Sequence, residues 1–326
     1  MNWKDLKGRL KLLQGFHPAH FVMPRAVVEI EPDFVLAGRL DASAHWVERV
    51  TVQQLQPGAF VPQVNRSSLA GQKELQEALR TAAASVGNGN GRTGLLVPDG
   101  TVRVTILEFE TLPGNSRQAE QLVMWKMREV LPFPLEEARL SYQVMWEQPG
   151  AIELLVVGGR NSVLAEYEAI LEPINGGPNL IWPATMGLLP LVPPGDPDTA
   201  QLLVHVCAGW LTTVIVAADR VRFWRNCAVE RGTVEEVAKS VGQEVSRVQA
   251  SCRDHLKLEV ARIWLCARPP AGPELGPVLS GMVGQEVQTL EPPAGSLARL
   301  SDWERTVGGG LAVPLAGLLN NTELKS

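Results

Sequence analysis

Twice along this chain, three short apolar runs follow one another with only turns between them. The first set is RAVVEIEP, FVLAGRLD and HWVERVTVQQLQ, beginning at Arg25. The second lies within QLLVHVCAGWLTTVIVAADRVRFWRN, residues 201–226, as runs 202–206, 212–216 and 221–224. Short, β-branched runs bounded by Gly, Pro, Asn and Asp read as strands, and neighbouring ones suit antiparallel meanders. In the second set, Cys207-Ala208-Gly209 makes a tight corner and Ala218-Asp219-Arg220 a turn. Two halves that each open with a meander point to a duplicated α/β fold.

The segments between the meanders support this. After the first comes a helix over 71–86, with Leu75 and Leu79 four apart on one face. A short buried strand, a Pro98-Asp99-Gly100 turn and an alternating strand (Val102, Val104 and Ile106 on one side) follow. The sequence SRQAEQLVMWKMREV predicts a helix over 116–130 with its cap region at Ser116, and AIELLVVGGR a buried strand. NSVLAEYEAILEPI is a helix capped by Asn161 or Ser162. NLIWPATMGLLPLV passes from strand into a short helix. VPPGDPDTA, 192–200, carries the domain boundary. In the second half, Val234, Val237, Val241, Val245 and Val248 lie on one side of a helix over 233–252. ARIWLCAR (261–268) is a strand; a helix, a short strand and a small-residue helix interrupted by Pro314 complete the chain.

The expected organisation is a first half formed by 1–94 and 154–194, a small α+β subdomain inserted at 95–153, and a shortened second half at 195–326. Residues 1–14 place Trp3, Leu6, Leu10 and Leu13 on one face amid Lys and Arg. Such a helix packs on the body of the protein or rests on an anionic membrane surface or a partner. No apolar run reaches the roughly 18–20 residues of a membrane-spanning helix. The first residues also lack the apolar core of a secretory signal. A net charge of −5 without a Lys/Arg block argues against nucleic acid as a partner.

The chemical motifs are incomplete. Four cysteines contain no CxxC pair, and His255, three residues after Cys252, lacks a second Cys–His pair, so buried thiols are expected in place of a metal site. GNGNGRTG (87–94) follows a helix and lacks the Gly-Lys-Ser/Thr ending of a phosphate loop, so it reads as a linker. Pro132 and Pro134 end the preceding helix and hold Phe133 extended, as a plug for an apolar gap.

The block LLVPDGTVRVTILEFETLPGNSRQAEQLVMWKMREVLPFPLEEARLSYQVMWE (95–147) resembles the PilM family, actin-like cytoplasmic proteins of type IV pilus assembly. The resemblance is carried by Leu131-Pro132-Phe133-Pro134, Glu136-Glu137 and Tyr142-Gln143. It implies two actin-like, ribonuclease H-like halves with ATP between them. Two strand-turn-strand hairpins would then hold the phosphates, each with an Asp for the magnesium water shell and a Gly for close backbone approach.

Set against that pattern, the first hairpin has Glu29 at the Asp, Glu31 at the Gly and Leu36 near a Lys. A carboxylate at the phosphate-cradling position repels a triphosphate, and Pro32 removes a backbone N–H. The second hairpin has His205 for the Asp and Cys207 for the Gly, while Thr212 and Thr213 remain. Magnesium prefers hard oxygen ligands, which histidine does not supply. At the adenine-side glycine turn stand Cys266, Ala267 and Arg268. Spacing gives no support to a Ser/His/Asp triad of Ser240, His205 and Asp219.

The resemblance therefore implies a pseudo-ATPase scaffold, not an enzyme, with no ATP or magnesium cofactor. It would sit in the cytoplasm at the inner face of the inner membrane. Its partner would be the N-terminal peptide of a PilN-like membrane protein, held between the first half and the insert, with other pilus assembly proteins as further partners. Leu131, Pro132, Phe133, Pro134 and Tyr142 are the candidate partner-binding residues. The alternatives are an active ATP-binding protein of the same machinery, or a GspL-like component of type II secretion.

Overall fold

The computed structural model describes residues 24–40, 47–66, 69, 73–87, 93–175, 177–178, 180–207, 209–268, 271–292 and 314. The expected helix over 1–14 lies outside these residues, as does all but Pro314 of the expected last helix.

Each meander forms the edge of its own five-stranded sheet. In the first half, β1 (Ala26–Glu31), β2 (Phe34–Leu40) and β3 (Val47–Gln54) run antiparallel. β4 (Thr93–Val97) then pairs parallel with β1, and β8 (Leu180–Pro183) parallel with β4, giving the order β3-β2-β1-β4-β8. The second half repeats the plan with β9 (Ala200–Cys207), β10 (Trp210–Ala217), β11 (Arg220–Ala228), β12 (Val260–Ala267) and β13 (Val287–Thr289). Its order is β11-β10-β9-β12-β13, with β9, β12 and β13 parallel. The β10–β11 turn has positive φ at both central residues, Ala218 and Asp219, the twist that suits a two-residue hairpin.

The two-residue side-chain period divides each sheet into an apolar face and a cleft face. Val28 and Ile30 of β1 and Leu95 and Val97 of β4 pack beneath α1 (Lys73–Val86) and α3 (Asn161–Asn175). In the second half, Leu202, Val204, Val206, Ile263 and Leu265 pack beneath α4 (Val234–Ser251) and α5 (Leu275–Val283). Their neighbours Glu29, Glu31, His205, Cys207, Cys266 and Arg268 fall on the opposite faces. Thr233 and Glu236 form a reciprocal capping box at the start of α4, which ends in a π turn, Cys252–Leu256. One long helix stands between β11 and β12, which is why the second half is short.

The insert is a three-stranded sheet, β5 (Val102–Phe109), β7 (Ala151–Arg160) and β6 (Ala138–Gln148), in that order, with α2 (Ser116–Met127) on one face. This corrects the expected boundaries. β4, placed in the insert by the sequence reading, pairs with β1, and β7 lies wholly in the insert sheet, so the insert runs from after the 99–101 turn to residue 160. Asn115, not Ser116, caps α2, accepting the N–H groups of Arg117 and Gln118 at 3.0 and 3.3 Å. The other insert face packs on the second half, where Leu155, Val104 and Ile106 meet Val214, Val221 and Trp224. Arg220, stacked 4.7 Å from the Trp146 ring, also reaches Glu153 at 3.1 Å.

Candidate functional site

The motif positions converge between the two halves, at the carboxyl ends of the parallel strands, where open α/β sheets form their ligand crevices. Glu29 and Glu31 come from the end of β1, His205 and Cys207 from the end of β9, and Arg268 follows β12 directly. All five are buried.

Arg268 crosses the cleft. Its backbone N–H donates to the Val206 carbonyl of the second half at 2.9 Å. Its guanidinium donates both Nη groups to the Glu29 carboxylate of the first half, Nη2 at 3.2 Å, and lies 4.7 Å from the centre of the Phe34 ring. Both partners of the ion pair have no solvent exposure. Burial alone would lower the Arg268 pKa; the Glu29 charge, the neighbouring Cys207 and Cys266 and the hydrogen bonding to Glu29 together outweigh it and raise it, so the guanidinium stays charged. Burial pushes Glu31 well above the usual carboxylate range, and the Glu29 charge pushes it further; Arg268 offsets part of this. Burial also raises the Cys207 thiol beside Glu31 and lifts Cys266 to about 12, so neither is a nucleophile at neutral pH.

A second cluster is built on Asp99, in the one-turn 3-10 segment Asp99–Thr101 that follows β4. Asp99 accepts from the Thr185 N–H at 3.0 Å, the Thr185 hydroxyl, and the Thr212 hydroxyl at 2.6 Å. Asn226 donates to Thr212 Oγ1 at 2.8 Å. The Thr185 hydroxyl has one proton and gives it to Asp99. His205 Nδ1, 2.7 Å from Thr185 Oγ1, must then be the donor in that pair. Burial pushes the Asp99 carboxyl up, but His205, Thr185 and Thr212 outweigh it and hold it below the ordinary value. His205 Nε2 has no hydrogen-bond partner among the described residues.

A small opening beside Glu31, Asp99, His205 and Cys207 measures about 10 Å³, room for a single water. At its rim, Gly100 lies beneath Pro62 and Trp210, and a Cβ at Gly100 would stand 3.3 Å from both.

Not every motif position reaches the cleft. Thr213 turns its hydroxyl to the Arg225 carbonyl, at 3.5 Å. Leu36 is a fully buried side chain of β2. Ala267 packs toward the α4 side of its sheet. Asp219 lies in the β10–β11 turn and Ser240 on α4; the carboxylate beside His205 is Asp99. Asp99 and Thr185 are the residues that sequence reasoning missed. The signal was an acidic turn directly after a buried strand, the position where a crevice opens. Among the described residues, no three His, Cys, Asp or Glu side chains converge to hold a metal ion.

Of the candidate partner-binding residues, Leu131 and Tyr142 belong to the insert core and Phe133 packs against it. Pro132 and Pro134 are exposed. The expected apolar plug at Phe133 is therefore internal to the insert.

No family model and no curated protein matches this sequence. Solved structures do match. A chain of the PilM–PilN type IV pilus biogenesis complex aligns with a TM-score of 0.72 and 16% identity, covering 93% of this chain and 100% of that one. A Bacteroides thetaiotaomicron protein of unknown function with an actin-like ATPase fold aligns at 0.51, with 9% identity over 82% and 90% of the two chains. This chain has the actin-like fold. The cytoplasmic domain of EpsL, an inner-membrane component of the Vibrio cholerae type II secretion system, aligns at 0.50, with 14% identity over 92% and 94%. The overall likeness agrees with the resemblance to PilM read from residues 95–147.

An actin-like cleft invites the question of nucleotide. A triphosphate entering here would meet Glu31 where a glycine would let it approach, and Asp99 as a second carboxylate. The cation in the cleft is already bound to Glu29. The residues present do not fit magnesium–ATP. Among the described residues, no helix is long and apolar enough to cross a membrane.

Proposed function

We propose that this chain is a PilM-like scaffold of type IV pilus assembly, a pseudo-ATPase that works without nucleotide at the inner face of the inner membrane. The observation that carries it is the buried Arg268–Glu29 pair, which occupies the phosphate end of an actin-like cleft. The PilM–PilN likeness supports the partner: the N-terminal peptide of a PilN-like membrane protein. An extended peptide lying between the first half and the insert would bind through backbone hydrogen bonds and apolar pockets. The insert carries the block most similar to PilM, which favours docking over catalysis.

Two measurements test the reading. Titration with a fluorescent nucleotide and magnesium is expected to give no saturable binding. Affinity of micromolar order, lost in Thr212→Ala/Thr213→Ala, would replace the scaffold with an ATP-responsive protein. Immobilised N-terminal peptide of the PilN-like protein encoded nearby is expected to capture the folded chain; clean failure removes the partner assignment. The EpsL likeness keeps a type II secretion role as the second reading. Neighbouring genes for secretion rather than pilus components would favour it.

A further inference from the structure

We infer that Arg268 is a built-in ligand, a tethered guanidinium that bolts the two halves shut where a bound cation and its phosphates would otherwise bridge them. The bolt is asymmetric. Its backbone is fixed to the second half through Val206, while its charged end touches the first half, on Glu29 and Phe34. Another direct ion pair between the halves, Arg231–Asp33 at 3.0 Å, has its arginine 38% exposed, so water and salt weaken it. Arg268 and Glu29 have no exposure, so neither solvent nor salt competes for them.

Geometry also explains why the bolt closes and does not merely fill space. Glu29 and Glu31 lie two residues apart on one face of β1, pointing into the same buried cleft. Without the guanidinium they face each other and the acidic Asp99 cluster. Arg268 neutralises that field from the opposite wall, so the arrangement is complete only when the halves are together. Thr212–Asp99 and His205–Thr185 add hydrogen bonds across the same gap. The closed form is thus the resting form, and no ligand is needed to reach it. The inference rests on the nucleotide-free reading of the cleft but not on the identity of the partner.

Arg268→Ala followed by amide hydrogen exchange tests it. The Thr185 N–H, bonded to Asp99 within the first half, and the N–H of residue 268, bonded to Val206 within the second, sit on opposite walls of the cleft and report on closure through the water that reaches them when the walls part. Amides in the middle of α1 and α4 report on each half separately. In the variant the two cleft amides are expected to exchange on the order of a hundred- to a thousandfold faster, as for a buried pair that loses one partner. The helix amides keep their protection. Guanidinium ion at a sub-denaturing concentration is expected to refill the site and restore the cleft protection. It should do nothing in Glu29→Gln/Arg268→Ala. Unchanged cleft protection in Arg268→Ala overturns the inference, as does an equal loss throughout both halves, or loss without rescue. Should Arg268→Ala not fold, Arg268→Lys keeps the charge without the two-pronged fork. Faster exchange confined to the cleft amides supports the bolt; wild-type rates there overturn it. Nucleotide titration of the wild type is a separate experiment, so nucleotide binding with an intact bolt would overturn the functional reading alone.

Discussion

The cleft and the insert surface use polar and aromatic side chains in opposite ways. In the cleft, Glu29, Arg268, Asp99, Thr185, Thr212 and His205 are buried and engaged with one another, and the opening beside Asp99 and His205 admits one water. On the insert, α2 turns Val123 and Met127 into the core and leaves Trp125 62% exposed. A surface whose side chains already satisfy each other has little left for a ligand, whereas an exposed aromatic such as Trp125 is available to a partner. The difference gives the cleft a structural duty and is in keeping with the proposed docking on the insert.

The sharpest way to break that contrast is Glu29→Gln. It leaves a buried guanidinium without its counter-charge, and the expected loss of stability is about 3–5 kcal/mol, read from the urea midpoint. A midpoint within error of wild type would mean the cleft is not structural. Asp99→Asn comes next, since an amide cannot accept every bond that the carboxylate takes from Thr185 and Thr212. A loss of about 1–3 kcal/mol is expected. Because the folded state holds the Asp99 carboxyl below its unfolded value, its contribution is present above the unfolded pKa and lost as pH falls through the folded one. The gap between Asp99→Asn and wild type should therefore narrow in acid.

Glu31→Gln tests the opposite sign and a smaller effect. Burial raises the folded Glu31 pKa, so wild-type stability falls as pH climbs from the ordinary glutamate value toward the raised one. The variant has no such loss. It should match wild type in mild acid and become the more stable of the two as pH rises, measured by thermal midpoints across that range. Trp125→Ala is the smallest. With the ring in solvent, stability should change by less than about 0.5 kcal/mol, while capture by an insert-directed partner peptide weakens. A marked loss of stability would show that the insert surface, like the cleft, serves the fold.

Much of this was legible before any coordinates. The two meanders fixed the paired sheets, because β-branched runs separated by Gly209 and by Ala218-Asp219 have few other options. Once those strands are drawn, period-two alternation puts Glu29 with Glu31, and His205 with Cys207, on common faces. What alternation could not give is partnership across more than two hundred residues. Nothing local to Ala267-Arg268 says that the side chain turns toward β1, and nothing local to Pro98-Asp99-Gly100 says that two threonines from different segments will meet it. The insert boundaries slipped for a related reason: LLV at 95–97 is an apolar strand in either sheet, and only its pairing with β1 decides.

The bolt also ties the cleft positions to one another. Conversion of this cleft into a phosphate-binding one is not expected to proceed through stable single steps. Arg268→Gly strands two facing glutamates in a buried space, Glu31→Gly leaves the guanidinium across the entrance, and His205→Asp sets a new carboxylate against Asp99. Each change is harmful until the others have occurred. The closed cleft therefore behaves as one unit: each position is tolerated in the company of the others, and changing it requires several substitutions made together.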